Sequence, residues 1–486
     1  MLTPSEEFNL ADYLLDQRIR DGQGDRLALI TDDGQLTYAQ VQSLANQAAH
    51  ALAAQGLERE QRLLLALPDS WDYVAALFGA LKLGAVVVMA NPALSDQEMT
   101  ELAHYVRAKV TLTLDQREDF RSQLRAQSPV FENVVTHRDD IALWLFSGGT
   151  TGRPKAVLQS HQSFFNTTEL YAKAFLGYRA EDRTLSVPKL FFGYATGSNL
   201  FFPFSVGASA ILFEDKCTPE VLFAKIARHR PTILVNVPTM VNHLVSHPEA
   251  GQQDFSCLRF STSAGEALPE ALYHRWREVF ACELLDGLGT AEMWHVFLSN
   301  APGQARAGTL GRPVPGFDVK ICDDSGVEVP QGQVGRLWVA GDSRALCYWQ
   351  RGELSQEALR GRYYVSSDLM SCDPDGYFSY CGRADEMLKV SGRWLAPQEV
   401  ESCLLTHPAV AECAVVGIVG QDGLTRPHAY VIATETGDDL EDQLKAHVLA
   451  QLEAYKHPRR VYFVDELPRT HLGKVNRALL RSAQSS

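Results

Sequence analysis

Near the N-terminus the apolar positions change period, and the change marks the first elements. Residues 27–30 and 35–37 are short apolar runs flanking Asp32-Asp33-Gly34, the pattern of a hairpin. Thr37 with Gln40 three places on forms a capping-box pattern. Val41, Leu44, Ala45, Ala48 and Leu52 then recur at helical spacing until Gly56 supplies a stop. Residues 63–67 are an apolar run, 73–83 a helical stretch and 85–89 a second run. Strand, helix, strand in that order is a βαβ unit and implies parallel sheet. The rhythm recurs with strand-like runs at 209–213 and 232–237 and a helical stretch near 220–228 between them. The most apolar stretch, 74–90, is broken by Lys82 and two glycines, so it predicts a helix feeding a buried strand rather than a membrane span.

Neither an internal repeat nor a low-complexity linker interrupts the chain. The clearest boundary lies near 383–386, where Gly-Arg-Ala-Asp-Glu follows a hairpin-like segment rich in Gly, Asp and Tyr. Beyond it the pattern predicts a helix at 397–405, strands at 414–419 and 429–433, a helix at 440–452 and a strand at 461–464. The fold class expected is α/β: a large multi-sheet α/β domain over 1–384 and a smaller, mobile α+β domain over 385–486. A length of 486 residues agrees with more than one domain.

Charge and cysteine usage narrow the function classes. A formal charge of -14 argues against a general nucleic-acid binder, which needs a basic surface to displace counterions. It says little about small anions, because a pocket can be basic inside an acidic protein. All nine cysteines lie between Cys217 and Cys413 without a C-x-x-C pair, the usage of reduced thiols in a cytoplasmic protein rather than a disulfide framework or zinc site. The opening residues, MLTPSEEFNLADYLL, lack the apolar core of a signal peptide.

The densest chemical signal is Phe146-Ser-Gly-Gly-Thr-Thr-Gly-Arg-Pro-Lys155, following an apolar strand at 141–145. Ser147, Gly148, Gly149, Thr150, Thr151 and Gly152 offer backbone N–H groups and hydroxyls, and Lys155 adds positive charge. That is what a loop cradling nucleotide phosphates needs. It is not a Walker A loop, which requires Gly-Lys-Ser/Thr in succession, because Arg153 and Pro154 intervene between Gly152 and Lys155.

This string resembles the signature of the adenylate-forming superfamily, which includes acyl- and aryl-CoA ligases, carrier-protein adenylation domains and firefly luciferase. Three further segments resemble the same family in the same order. They are Asp286-Gly-Leu-Gly-Thr-Ala-Glu292, Gly382-Arg-Ala-Asp-Glu-Met-Leu-Lys-Val-Ser-Gly392 and Pro468-Arg-Thr-His-Leu-Gly-Lys-Val-Asn-Arg477. The resemblance implies ATP, Mg²⁺ and a thiol acceptor. It assigns the metal contact to Glu292 and the ribose hydroxyls to Asp368, with Arg383 adding a ribose or phosphate contact. The adenine is expected between the backbone of Gly265, Glu266 and Ala267 and the side chain of Leu288, with Asp286 at the exocyclic amine and Gly287, Gly289 and Thr290 completing the segment. Lys474 would bridge carboxylate and α-phosphate in the adenylation transition state. Asp385 takes the hinge position, and Lys389 and Gly392 the thiol site. One departure stands out: the family usually has Thr or Ser immediately before the metal glutamate, whereas this chain has Ala291, with Thr290 one place earlier.

The identity of the acid follows from Pro188-Lys-Leu-Phe-Phe-Gly-Tyr-Ala-Thr-Gly197, whose wording is similar to benzoate-CoA ligases. In that group a histidine also follows the metal glutamate by three residues, as His295 does here. Lys189, Tyr194 and His295 are therefore expected at the acid, and Phe192 as an aromatic gate beside the thiol tunnel. Flat aromatic walls favour a planar ring over a long acyl chain. The expected activity is an aryl-CoA ligase, with coenzyme A or an acyl carrier protein in trans as acceptor, working as monomer or homodimer. A non-catalytic aryl-acid sensor would be expected to lack Lys474, Glu292 or Asp368, and all three are present.

Overall fold

The computed structural model describes residues 3–148, 155–420, 423–435, 437, 439–469 and 475–482. The chain divides into two compact units. The first comprises Met1–Leu268, Leu272–Val319 and Val339–Tyr364; the second comprises Pro269–Ala271, Lys320–Trp338 and Val365–Ser486.

Two sheets organise the first unit. The six-stranded sheet runs in the order Cys347–Tyr348, Lys155–Ser160, Ile141–Ser147, Val86–Met89, Arg62–Ala66, Val110–Thr113. Its last four strands are parallel, and Lys155–Ser160 and Cys347–Tyr348 are added antiparallel. The predicted βαβ unit is thus present, with the helix Trp71–Lys82 between paired parallel strands. Lys82, the charge within that apolar stretch, is buried with Nζ at 2.6 Å from both carboxylate oxygens of Asp16. A buried ammonium is tolerated because it is paired. No helix among the described residues is long and apolar enough to cross a membrane.

A nine-stranded sheet forms the other layer system. Its central strands Leu284–Gly289, Phe260–Ser263, Ile233–Asn236, Arg183–Ser186, Ser209–Ile211 and Leu27–Thr31 are mutually parallel. The hairpin predicted at the N-terminus supplies one edge, Gly34–Thr37 pairing antiparallel with Leu27–Thr31. The capping box that follows is formed: Gln40 N donates to Thr37 Oγ1 at 3.3 Å and Thr37 N to Gln40 Oε1 at 2.8 Å. Strands 209–211 and 233–236, expected as one strand–helix–strand unit, share the sheet but are separated by Arg183–Ser186. Leu234, Leu284, Trp276, Phe280 and Met240 lie in one apolar core on a face of this sheet.

The strand Tyr363–Cys372, which belongs to the second unit from Val365 on, forms an antiparallel hairpin with Phe378–Arg383 that sets Asp368 opposite Arg383. Further along, the helices Pro397–Leu404 and Leu440–Gln451 cover the sheet Val410–Val419, Thr425–Ala433, Arg460–Phe463. Every element predicted from the pattern after residue 397 is present, the first strand starting earlier than expected, at Val410. All nine cysteines are free thiols.

Candidate active site

Two antiparallel strands, Ile141–Ser147 and Lys155–Ser160, carry the two ends of the Gly-rich segment and set Ser147 opposite Lys155. Gly149, Thr150, Thr151 and Gly152 lie outside the described residues. No atom of the described residues lies within 4 Å of a Cβ placed on Gly148. Ser147 Oγ donates to Glu292 Oε1 at 3.1 Å, and the hydroxyl of Tyr348 donates to the same oxygen at 2.9 Å. Lys155 Nζ stands 5.4 Å from the centroid of the Tyr348 ring.

Glu292 arrives at this cluster on a short 3₁₀ turn, Ala291–Met293, that follows the strand Leu284–Gly289. Thr290 caps the turn, its Oγ1 accepting from Met293 N at 3.3 Å. A hydroxyl that accepts still has its own proton to donate, so Thr290 could serve a ligand oxygen while acting as a cap. The turn is tied down on both sides. Gln159 Nε2 donates to Ala291 O at 2.7 Å, and Ala345 N donates to Glu292 O at 2.7 Å. Trp294 then takes a positive φ of 60°, a conformation rare for a bulky residue, and kinks the chain between Glu292 and His295.

His295 is buried among rings, with centroids 4.7 Å from Phe202, 5.4 Å from Tyr194 and 5.6 Å from Tyr171. Its Nε2 lies 3.1 Å from Tyr194 O and 3.1 Å from Ser198 Oγ. Burial pushes its pKa down to about 3, so the imidazole is neutral. A carbonyl can only accept, so Nε2 bears the proton toward Tyr194 O, and Nδ1 is left as a buried lone pair without a partner among the described residues. Gly197 makes room for the ring, since a Cβ there would sit 2.4 Å from His295 Cδ2. Tyr194, whose phenol is pushed well up by burial, is 2.7 Å from Thr262 Oγ1. Phe192 stacks obliquely on Phe191 at 4.2 Å and stands at the start of the short helix Gly193–Thr196. Phe201, Phe202 and Phe204 are fully buried in the core.

Lys189 is not brought to Tyr194 and His295. Its Nζ donates to Phe213 O at 2.6 Å and sits 3.5 Å from the Phe213 ring centroid, where burial lowers its pKa. What holds that segment is Asp69, whose Oδ1 accepts from Leu190 N at 2.8 Å.

The carboxyl-end limit of the parallel pairing among three strands sets Asn236, Ser263 and Asp286 side by side. All three are buried, and among the described residues Asn236 Nδ2, Ser263 Oγ and Asp286 Oδ1 make no well-formed hydrogen bond, although burial pushes the Asp286 carboxyl well up and the nearby Ser263 hydroxyl opposes that shift. In open parallel sheets, ligands bind at this end of the strands. Gly265 nearby has φ 91°, Glu266 Oε2 accepts from Thr239 N at 3.0 Å, and Ala267 is exposed. Leu288 pairs with Leu298, and Gly287 and Gly289 allow close backbone approach, their Cβ positions lying 2.7 Å from Leu298 O and 2.6 Å from the carbonyl group of His295.

Within the second unit, Asp368 accepts from Ser366 Oγ at 2.5 Å and lies 3.5 Å from Arg383 Nη1. Arg383 is forked onto Asp385 with two contacts of 2.9 Å. Lys389 stands 5.8 Å from the centroid of exposed Trp394 across a hairpin. Its two-residue loop, Ser391 and Gly392, has φ of 51° and 78°. Lys474 lies outside the described residues. Arg477, just after it, is held by Glu401 at 2.6 and 2.8 Å. Tyr348, Ser198, Thr262, Asn236 and Ser263 were not among the residues singled out by motif, because each belongs to a strand or helix with no signature of its own.

Residues 16–349 match the family described as AMP-binding enzyme, and residues 399–474 match the AMP-binding enzyme C-terminal domain. A benzoate–CoA ligase of Thauera aromatica is 37% identical over 98% of this chain and 96% of its own. A 4-hydroxybenzoate–CoA/benzoate–CoA ligase of Rhodopseudomonas palustris is 32% identical over 98% and 94%. Among solved structures, an anthranilate CoA ligase in complex with anthranoyl-AMP superposes with a TM-score of 0.93 at 36% identity, covering 99% of this chain and 98% of that one.

Proposed function

The chain belongs to the AMP-binding enzyme family, and from that premise we propose that it is an aryl-acid CoA ligase. It joins a benzoate-type acid to the α-phosphate of ATP, releasing pyrophosphate, and then passes the acyl group to the thiol of coenzyme A, releasing AMP. The observation that carries this reading is the path from Glu292 to His295. One short segment links the hydroxyl-bound carboxylate beside the phosphate loop to a buried wall of Tyr194, Phe202 and His295. A planar ring stacked on such a wall would lie three residues along the chain from the nucleotide's charge.

Mg²⁺ fits the residues present. It commonly binds through one or two carboxylates together with substrate phosphates, and Glu292 offers a carboxylate with one oxygen unbonded among the described residues. Bound there with ATP, the ion would screen the phosphate charge. Asp368 suits the ribose diol, and the buried polar edge of Asn236, Ser263 and Asp286 suits the polar rim of a base. Lys474 is assigned the carboxylate and α-phosphate. Residues 1–384 and 385–486 are assigned as the bodies that change orientation between the two steps, with Asp385 as pivot and Lys389 and Gly392 at the thiol. A carrier protein in trans is the alternative acceptor.

Purified protein is incubated with Mg·ATP and benzoate, 2-aminobenzoate, hydroxybenzoates, cinnamate or a medium-chain fatty acid, with and without coenzyme A. Mass spectrometry should find AMP and an aryl-CoA only with the ring acids. An aryl-adenylate that never reaches coenzyme A would move the acceptor to a carrier protein, and absence of AMP with every acid would overturn the reading.

A further inference from the structure

The Glu292 carboxylate is held asymmetrically. Ser147 Oγ and Tyr348 OH both donate to Oε1, and among the described residues no hydrogen bond reaches Oε2. Tyr348 is buried and clamped in place. Its strand, Cys347–Tyr348, pairs antiparallel with Lys155–Ser160, and its backbone N donates to Ser355 Oγ at 3.0 Å. The same ring meets Lys155 Nζ at 5.4 Å from its centroid. Lys155 and Glu292 are thus opposite charges that both meet one tyrosine, one at its ring and the other at its hydroxyl, and no ion pair joins them.

Two physical consequences follow. An oxygen that accepts two O–H bonds is both oriented and partly neutralised, which leaves the remaining negative character on the other oxygen in a fixed direction. A ring face in contact with an ammonium stabilises it by the ring quadrupole without consuming its charge, as a carboxylate partner would. Had Lys155 closed on Glu292, the site would neutralise itself, and nucleotide and metal would both have to break a salt bridge to bind.

We propose that Tyr348 is a positioning residue for the metal and phosphate groups: its hydroxyl orients Glu292 to present Oε2 to a divalent cation, and its ring keeps Lys155 apart from Glu292 and available to an anion. The inference rests on the assignment of Glu292 to the metal.

The test is equilibrium binding of ATP by titration calorimetry, in EDTA and across a Mg²⁺ series, for wild type, Tyr348→Phe, Tyr348→Leu and Glu292→Gln. Binding of Mn²⁺ in the presence of ATP, read by electron paramagnetic resonance, supplies a second readout independent of turnover. Tyr348→Phe, which retains the ring, should leave metal-free ATP binding unchanged and raise the Mg²⁺ or Mn²⁺ concentration at half-saturation by roughly tenfold, the usual scale for a group that orients a ligand. Tyr348→Leu, which loses the ring as well, should also weaken metal-free ATP binding. Thermal unfolding reports whether each variant is folded, and Tyr348→Phe is conservative enough to keep the core filled. Equal weakening with and without metal in Tyr348→Phe, or superimposable metal titrations, would overturn the proposal. If Glu292→Gln leaves the metal requirement untouched, the assignment of Glu292 falls, and the proposal with it. A Tyr348→Phe variant that behaves as wild type while Glu292→Gln loses metal would remove the tyrosine's role alone.

Discussion

Gly197 and His295 are set so closely that one methyl group would separate them, because an added Cβ would stand 2.4 Å from Cδ2 and 2.7 Å from Nε2. Gly197→Ala should therefore displace the imidazole from Tyr194 O and Ser198. Steady-state kinetics should show kcat/KM for the aryl acid falling by roughly tenfold or more while the KM for ATP stays near wild type, as expected when a group lining only one substrate is misplaced. A second residue-scale prediction concerns His161, which is buried and whose Nδ1 accepts from Leu10 N at 3.1 Å. Burial lowers its pKa from 6.5 to about 4, so the folded protein keeps it neutral where the unfolded chain protonates it. Stability from this site is present above 6.5 and lost as pH falls from there toward 4. The loss between pH 7 and pH 5 amounts to about 2 kcal/mol. His161→Asn removes the titration, so its melting temperature, lower than wild type at pH 7, should approach wild type as pH falls. A constant gap across that range would contradict the assignment. The resemblance to benzoate-CoA ligases pointed to His295 and Tyr194, and they meet. It also pointed to Lys189, whose side chain runs instead to the Phe213 carbonyl, because adjacency along a turn does not fix the direction of a side chain.

Helix Tyr38–Ala54 was legible from its capping box and apolar stripe, since both are local. What those patterns do not reveal is how closely two helices approach. Gly79, inside helix Trp71–Lys82, has its Cβ position 2.7 Å from Ala48 Cβ, 2.8 Å from Ala49 N and 3.0 Å from Ala45 O. The two helices touch through alanines and a glycine. Gly79→Ala improves helix propensity but forces the backbones apart, and overpacking of this kind costs about 1–3 kcal/mol, more than propensity returns. Urea unfolding should show a lowered midpoint with unchanged slope. A midpoint at or above wild type would mean that the contact has slack.

At the scale of the whole molecule, the two half-reactions should be separable. Lys474→Ala should lose adenylation by about a thousandfold or more, as expected for a charge used in the transition state, yet still form thioester from a supplied aryl-adenylate. Comparable loss of both half-reactions would remove the assignment. Asp385 holds Arg383 in a two-point ion pair within the second unit. Asp385→Pro fixes the backbone at that position and should spare adenylation while impairing thioester formation. An unaffected second step would deny Asp385 a pivot role.

The sequence by itself determined what depends on neighbours along the chain: the N-terminal hairpin, the capped helix, the first βαβ unit, the order of elements after residue 397, and four motifs whose residue types suit phosphate, metal and carboxylate. These are short-range matters of period, capping and donor chemistry. Only the tertiary structure decided which distant groups meet. Tyr348 reaches Glu292 across 56 positions of sequence, and Arg183–Ser186 separates two strands expected to form one unit. The buried polar edge of Asn236, Ser263 and Asp286 exists because the parallel pairing of three strands stops at these residues in register. Each of these depends on how sheets are ordered and how closely elements pack. That is set by the summed burial of many side chains, which no local pattern encodes.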